Sequence, residues 1–135
     1  MIVNQISVFL ENKAGQLADF VQLMAKNNID LKALSIAESQ DYGVLRIIVD
    51  DPDGVAALLR ENSWTFTVTP VLAIMVPDEP GSLTHILAIL AENGISLAYT
   101  YAFFSRKQGN AFIILRVDDN AKASKILFDA NIALD

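Results

Sequence analysis

Hydrophobic and polar residues alternate from Gln5 to Leu10, and this period of two predicts a strand. After a turn at Asn12 to Gly15, the spacing changes. Leu17, Phe20, Val21, Leu23 and Met24 recur at helical intervals over Gln16 to Asn27, where the Asn27-Asn28 pair stops the helix. Leu31 to Ala37 reads as a second strand, Asp41-Tyr42-Gly43 as a turn, and Val44 to Val49 as a third strand. Asp50 to Asp53, with Pro52 in the first turn, opens a second helix through Val55, Leu58 and Leu59. Thr65 to Thr69 is rich in Thr, Val and Phe and predicts a fourth strand, with Pro70 as a boundary.

The same order then starts again. A shift of 66 residues lays Gln5–Leu34 over Val71–Thr100 with six identities: Gly15/Gly81, Leu17/Leu83, Ala25/Ala91, Asn27/Asn93, Ile29/Ile95 and Leu31/Leu97. Val49-Asp50-Asp51 matches Val117-Asp118-Asp119 at a shift of 68, so the second copy has two extra residues near Lys107 to Gly109. Its elements are a strand at Val71–Val76, a helix at Gly81–Glu92, a strand at Leu97–Phe104, a turn at Ser105–Gly109, a strand at Ala111–Val117 and a helix at Ala121–Asp129. Two copies are fewer than the roughly three that a solenoid needs, so the expectation is a pair of modules, residues 1–69 and 70–135. Only Ile132–Asp135 follows the last helix, which leaves the second module's final strand short or missing.

Strand, helix, strand, strand, helix, strand predicts an α+β fold. Each module is a ferredoxin-like βαββαβ sandwich with an antiparallel sheet and both helices on one face. On the second copy's second strand, Leu97, Tyr99, Tyr101 and Phe103 are expected on one face and Ala98, Thr100, Ala102 and Phe104 on the other. Both are apolar enough to want cover.

Composition narrows the function. With 53% hydrophobic and 19% charged residues in 135, the chain is not disordered. No apolar run approaches the roughly 18 residues of a membrane span, and no secretory signal precedes Glu11, so the expected compartment is the cytoplasm. A net charge of −6 opposes nucleic acid and anionic membrane surfaces. There is no cysteine, hence no disulfide and no thiolate chemistry.

The local signal with most chemistry is the turn after the first strand of each copy, Asn12-Lys13-Ala14-Gly15-Gln16-Leu17 and Asp78-Glu79-Pro80-Gly81-Ser82-Leu83. Glycine allows close backbone approach, and a helix start offers unpaired N–H groups and a positive dipole end, which suit a carboxylate. The plainer account makes Asn12 or Asp78 a cap or turn residue. Recurrence in both copies favours the ligand reading.

With these turns and the strand starts Asn28-Ile29-Asp30-Leu31 and Gly94-Ile95-Ser96-Leu97, the sequence resembles the ACT domain family over both repeats. The resemblance implies a stand-alone regulatory protein, not an enzyme and without a cofactor, that binds a free amino acid at an interface between modules. It also implies a regulated enzyme or other protein as partner, while the high apolar content and the sheet face that each module's helices leave bare point to a homodimer. Carried onto this chain, the ligand-binding residues are Asn12, Ala14, Gly15, Gln16, Leu17, Asp30 and Leu31, with second-copy equivalents Asp78, Pro80, Gly81, Ser82, Leu83 and Ser96. Ala14 stands where the family has Pro, and Asp78 and Ser96 stand where it has Asn. An Asp78 carboxylate would repel a ligand carboxylate, so the first copy is expected to be the better site.

Other candidates read more plainly. His85, the single histidine, is expected to be an exposed helix residue, with no Cys or second His to share a metal. Asp50-Asp51 and Asp118-Asp119 precede helices, where capping accounts for them better than a divalent cation does. Tyr99, Tyr101 and Phe103 could stack bases, but with no Lys/Arg cluster beside them they read as interface packing. Two rival functions remain: a protein interaction module without a small-molecule ligand, and a small ferredoxin-like enzyme using the Asp pairs, His85 or the tyrosines.

Overall fold

The computed structural model describes residues 1–38, 41–104 and 109–134, and among these it contains seven strands and four helices. Contacts divide the chain into two compact units: Asn4–Thr69, and Pro70–Asp135 together with Met1–Val3.

In the unit Asn4–Thr69 the elements are β1 (Ile2–Glu11), α1 (Gln16–Lys26), β2 (Ala33–Glu38), β3 (Tyr42–Ile48) and α2 (Pro52–Glu61), followed by the first residues of β4 (Phe66–Pro77). β3 pairs antiparallel with both β1, from Ile6↔Ile47 to Glu11↔Tyr42, and β2, from Ala33↔Ile48 to Glu38↔Gly43. β1 and β2 therefore run the same way. On the other edge of β1, the Phe9 N–H donates to the Thr65 carbonyl at 3.0 Å. The alternate residues Ile6, Val8 and Leu10 of β1 and Leu45 and Ile47 of β3 bury one sheet face against Phe20 and Met24 of α1 and Val55 and Leu59 of α2. Both helices consequently lie on that face, as the two helical stripes require. The rings of Phe20 and Trp64 meet edge-on at 5.4 Å.

The other unit repeats the plan with β4, α3 (Ser82–Glu92), β5 (Leu97–Ala102), β6 (Asn110–Val117), α4 (Asn120–Asp129) and β7 (Ala133–Leu134). β4 pairs antiparallel with β6 from Leu72↔Leu115 to Pro77↔Asn110, and β6 with β5. The other edge of β4 is occupied twice. Met1 exchanges hydrogen bonds with Ala73 at 2.7 and 3.0 Å, and the two residues of β7 pair at Ile74 and Met75. Leu72, Ile74, Val76, Leu115 and Val117 pack against Ile86, Leu90, Ala123 and Leu127 of the two helices. On the helix-free side, Gln5 and Ser7 are buried in the first unit, joined by a Gln5 Nε2 to Ser7 Oγ hydrogen bond of 3.2 Å, and Val71, Ala73 and Ile114 are buried in the second.

Two expectations need correction. The strands read separately as Thr65–Thr69 and Val71–Val76 are one strand, because Pro70, where the division into units falls, does not interrupt the extended backbone. A proline lacks an N–H but fits extended backbone, and the Pro70 carbonyl accepts a bond from Asn120 Nδ2 at 3.1 Å. The second correction concerns β5, where the pairing register shifts between Leu97 and Tyr99. Leu97 pairs with Val117 on the helix-covered face, whereas Tyr99 pairs with Arg116 and Tyr101 with Ile114 on the opposite face. An irregularity of one residue reverses the side on which everything beyond it points. The turn expected at Ser105–Gly109 lies outside the described residues except for Gly109.

All four helices end alike. The residues after the C-caps of α1 to α3 and of α4 are Asn28, Ser63, Gly94 and Asn131, with φ of 55°, 61°, 70° and 61°. Each is followed by an apolar residue whose N–H returns to the helix: Ile29 to Met24, Trp64 to Leu59, Ile95 to Leu90 and Ile132 to Leu127. These are Schellman closures with their hydrophobic contact.

Candidate ligand-binding site

Each Gly turn delivers the chain from a strand into a helix through a left-handed residue. Gly15 has φ 88°, ψ −13° and stands before α1; Gly81 has φ 93°, ψ −15° and stands before α3. Neither helix start has a side-chain cap, so Asn12 and Asp78 are not caps. The Gly15 carbonyl accepts the Asp19 N–H at 2.9 Å and the Gly81 carbonyl the His85 N–H at 3.0 Å. The Leu17 and Ala18 N–H groups, like those of Leu83 and Thr84, have no acceptor among the described residues. Two outward N–H groups at the positive end of a helix can receive a carboxylate. An added Cβ on either glycine would meet nothing within 4 Å, so space remains for a ligand against the backbone.

Beside the first turn lies an open cavity of about 370 Å³ lined by Leu10, Glu11, Asn12, Lys13, Ala14 and Leu17 together with Ile36, Glu38 and Gly43. Asn12, Ala14 and Leu17 are brought together there, and Gly15 and Gln16 adjoin them in the chain. Gln16 is already engaged, since its Oε1 accepts the Glu11 N–H, and Lys13 Nζ pairs with Glu11 Oε2 at 3.1 Å. Asp30 and Leu31 are elsewhere within this unit. Glu38 stands opposite Gly43 at the turn, but Ala33 stands opposite Ile48, five residues and about 17 Å farther along the strand at roughly 3.3 Å per residue. At that far end, Lys32 Nζ reaches Asp30 Oδ2 at 3.1 Å and Asp50 Oδ2 at 3.7 Å. The hydrogen bond to Asp30 first, and then the negative charges of Asp50 and Asp30, raise the Lys32 pKa above its ordinary value.

The second turn opens on a larger cavity of about 570 Å³, to which Glu79, Pro80, Gly81, Ser82 and His85 contribute from the turn and α3, and Asn110, Asn131 and Ile132 from outside. Pro80, Gly81 and Ser82 come together here. Asp78 and Leu83 are not in the lining, and the Asp78 N–H points to the Gly109 carbonyl at 3.0 Å. Ser96 is at the opposite end of its sheet, where its N–H donates to Asp118 Oδ1 at 3.2 Å. Reasoning from the sequence missed Ile36, Glu38 and Gly43 at the first turn and Asn110, Asn131 and Ile132 at the second. The pairing of β3 and β6 with the strand that precedes each turn was the signal that could have found Gly43 and Asn110.

The acidic pairs do cap helices: Asp51 Oδ1 accepts the Gly54 N–H at 3.1 Å and Asp119 Oδ1 the Lys122 N–H at 3.0 Å. His85 is exposed on α3 as expected, yet it lines the second cavity. Among the described residues, no group of three or more His, Cys, Asp or Glu could hold a metal ion, and no helix is long and apolar enough to cross a membrane.

Two ferredoxin-like units, each with a glycine turn from first strand to first helix, define a tandem α+β type of protein. The family model for the ACT domain pair matches residues 1–134, and the chain belongs to that family. Protein BT0572 from Bacteroides thetaiotaomicron is similar at 36% identity and TM-score 0.93, over 100% of this chain and 92% of that one. The fold is also shared with two regulatory subunits of aspartate kinase, each matched over 96% of this chain and 95% of the other at 12% identity. These are from Thermus thermophilus, in a ligand-free form with TM-score 0.65, and from Thermus flavus, with TM-score 0.58. No curated protein matches the sequence.

Proposed function

We propose that this chain is a regulatory protein of two ACT modules, residues 1–69 and 70–135, and that it binds a free amino acid at the Gly turn between first strand and first helix. The observation that carries the reading is the pair of left-handed glycines, each followed by two N–H groups without acceptors and each next to a cavity. The ligand's carboxylate meets those N–H groups. A helix dipole contributes about 0.3–1 kcal/mol, up to ~2 when partly buried, whereas micromolar binding needs roughly 8 kcal/mol. Burial of the ligand's side chain and further hydrogen bonds must supply the difference.

That need favours a site completed at an interface between modules or between chains of a homodimer. Asp30 and Ser96, about a strand's length from the turn of their own unit, then serve a turn on a neighbouring module. The protein acts in the cytoplasm by changing its association with itself or with a regulated partner, and it performs no catalysis. Melting temperature measured against each standard amino acid at millimolar concentration tests the reading, since a ligand of the folded state raises stability by RT ln(1 + [L]/Kd). A rise with one or a few amino acids is expected; no rise with any contradicts it. Sedimentation of the same samples should show a dimer, and a strict monomer with and without ligand would remove the interface.

The rival reading, an interaction module with empty turns, draws on the exposed apolar side chains of Leu17 and Val21 on α1 and Leu83 on α3. It predicts partner capture with no small-molecule response.

A further inference from the structure

We infer that the amino-acid site proposed above is the cavity of the second unit, and that His85, Asn110 and Asn131 there select a ligand whose side chain ends in a carboxamide or carboxylate. The inference rests on the amino-acid reading and goes beyond it by choosing between the turns and naming the side-chain chemistry.

The repeat makes the comparison position by position. In the first turn Gln16 folds back so that its Oε1 accepts the Glu11 N–H, and Lys13 closes on the Glu11 carboxylate. The Lys13 and Gln16 side chains of that turn are thus both engaged with Glu11. At the matching positions of the second turn stand Pro77 for Glu11, Glu79 for Lys13 and Ser82 for Gln16. Pro77 has no N–H to satisfy, Ser82 is too short to fold back as Gln16 does, and no ion pair forms across the turn. The cavity is left open, about 570 Å³ against 370 Å³. Asp78 lines none of it, which removes the repulsion that counted against this copy.

The lining also changes chemically. His85 replaces the acidic Asp19 of the first copy, so a donor stands where the first turn has a carboxylate. The side chains of His85, Asn110 and Asn131 make no hydrogen bond with the described residues. Other asparagines near helix ends do: Asn27, Asn62 and Asn93 each donate Nδ2 to the carbonyl four residues back, at 2.8–2.9 Å. Asn131 sits one position later, past the Ala130 C-cap, and keeps its amide for the cavity. Two amides and an imidazole offer donors to a carbonyl or carboxylate oxygen, while the Glu79 carboxylate accepts from the ligand's ammonium. Met75, Ile86 and Ile132 bound the rest with apolar surface.

Isothermal titration of the full chain with asparagine, glutamine, aspartate and glutamate, with leucine and valine as apolar controls, tests this. The expected result is that at least one of the four binds 10-fold or more tighter than either control. His85→Ala and Asn131→Gly should each weaken that ligand 5-fold or more, and Asp19→Ala, at the position of the first copy that matches His85, should leave it unchanged. His85 is exposed, and glycine keeps the positive φ of Asn131, so both variants retain the fold, which circular dichroism checks. Binding lost in Asp19→Ala or Gly15→Val but kept in His85→Ala overturns the choice of cavity while the amino-acid reading stands. Equal binding of leucine and the best of the four overturns the side-chain chemistry. No heat from any amino acid overturns the amino-acid reading itself.

Discussion

Gly15 and Gly81 hold nearly the same left-handed backbone, φ 88° and 93°, although nothing within 4 Å would obstruct a side chain at either. Their role is therefore conformational, and a substitution acts through strain rather than collision. Replacing either with Val is expected to cost about 1–3 kcal/mol, the range for a non-glycine residue held in that region, measured by urea denaturation. The double variant Gly15→Val/Gly81→Val should remain folded yet lose any amino-acid-induced rise in melting temperature. A retained rise would place the ligand away from both turns.

Gly54 is required for a different reason. A Cβ there would stand 2.3 Å from Asp51 Oδ2, whose carboxylate caps α2 through the Gly54 N–H. Gly→Ala within a helix ordinarily gains up to about 1 kcal/mol. Here it should instead lose stability by about 1 kcal/mol, the usual worth of an N-cap. In an Asp51→Ala background the same substitution should become stabilising. A double-mutant cycle by chemical denaturation would show this reversal of sign.

Phe20 is fully buried and meets Trp64, the single tryptophan, at 5.4 Å. Phe20→Ala should destabilise by about 3–5 kcal/mol and shift the Trp64 emission in the folded state. Unchanged emission would mean that the two rings do not share a core.

Lys32 provides the pH prediction. Its pKa is raised by the hydrogen bond to Asp30 and by the charges of Asp50 and Asp30. The protonated lysine is thus favoured in the folded state. The associated stability is fully present below the ordinary lysine value of about 10.4 and is lost as pH rises through the raised folded value. Asp30→Asn should lower the Lys32 pKa, read by NMR titration of its side chain, and should weaken the alkaline loss. An Asp30→Asn chain in which Lys32 titrates as before would discount the contact.

Much of the architecture was legible because local signals agreed. The alternation of Gln5–Leu10, the helical stripe through Phe20 and Met24, the Asp51 and Asp119 caps and the repeated glycine all depend on neighbours in the sequence. What escaped depends on pairing across the sheet. Nothing in the alternation of Leu97 to Phe104 announces that the register slips between Leu97 and Tyr99, turning the tyrosines away from the helices. Pro70 looked like the end of a strand because a missing donor is visible in sequence, while the carbonyl that Asn120 binds is not. The candidate site divided in the same way. Its glycines could be read directly, but Gly43 and Asn110 arrive through strand pairing, and Gln16 folding back on Glu11 is a side-chain contact that no spacing reveals.

The claim that the Gly turns hold a free amino acid is tested most directly by a crystal structure of the chain grown with the amino acid that most raises its melting temperature. The account predicts density for a zwitterion whose carboxylate lies against the helix start after Gly81 or Gly15. Density for that ligand elsewhere, with both turns empty, would contradict it.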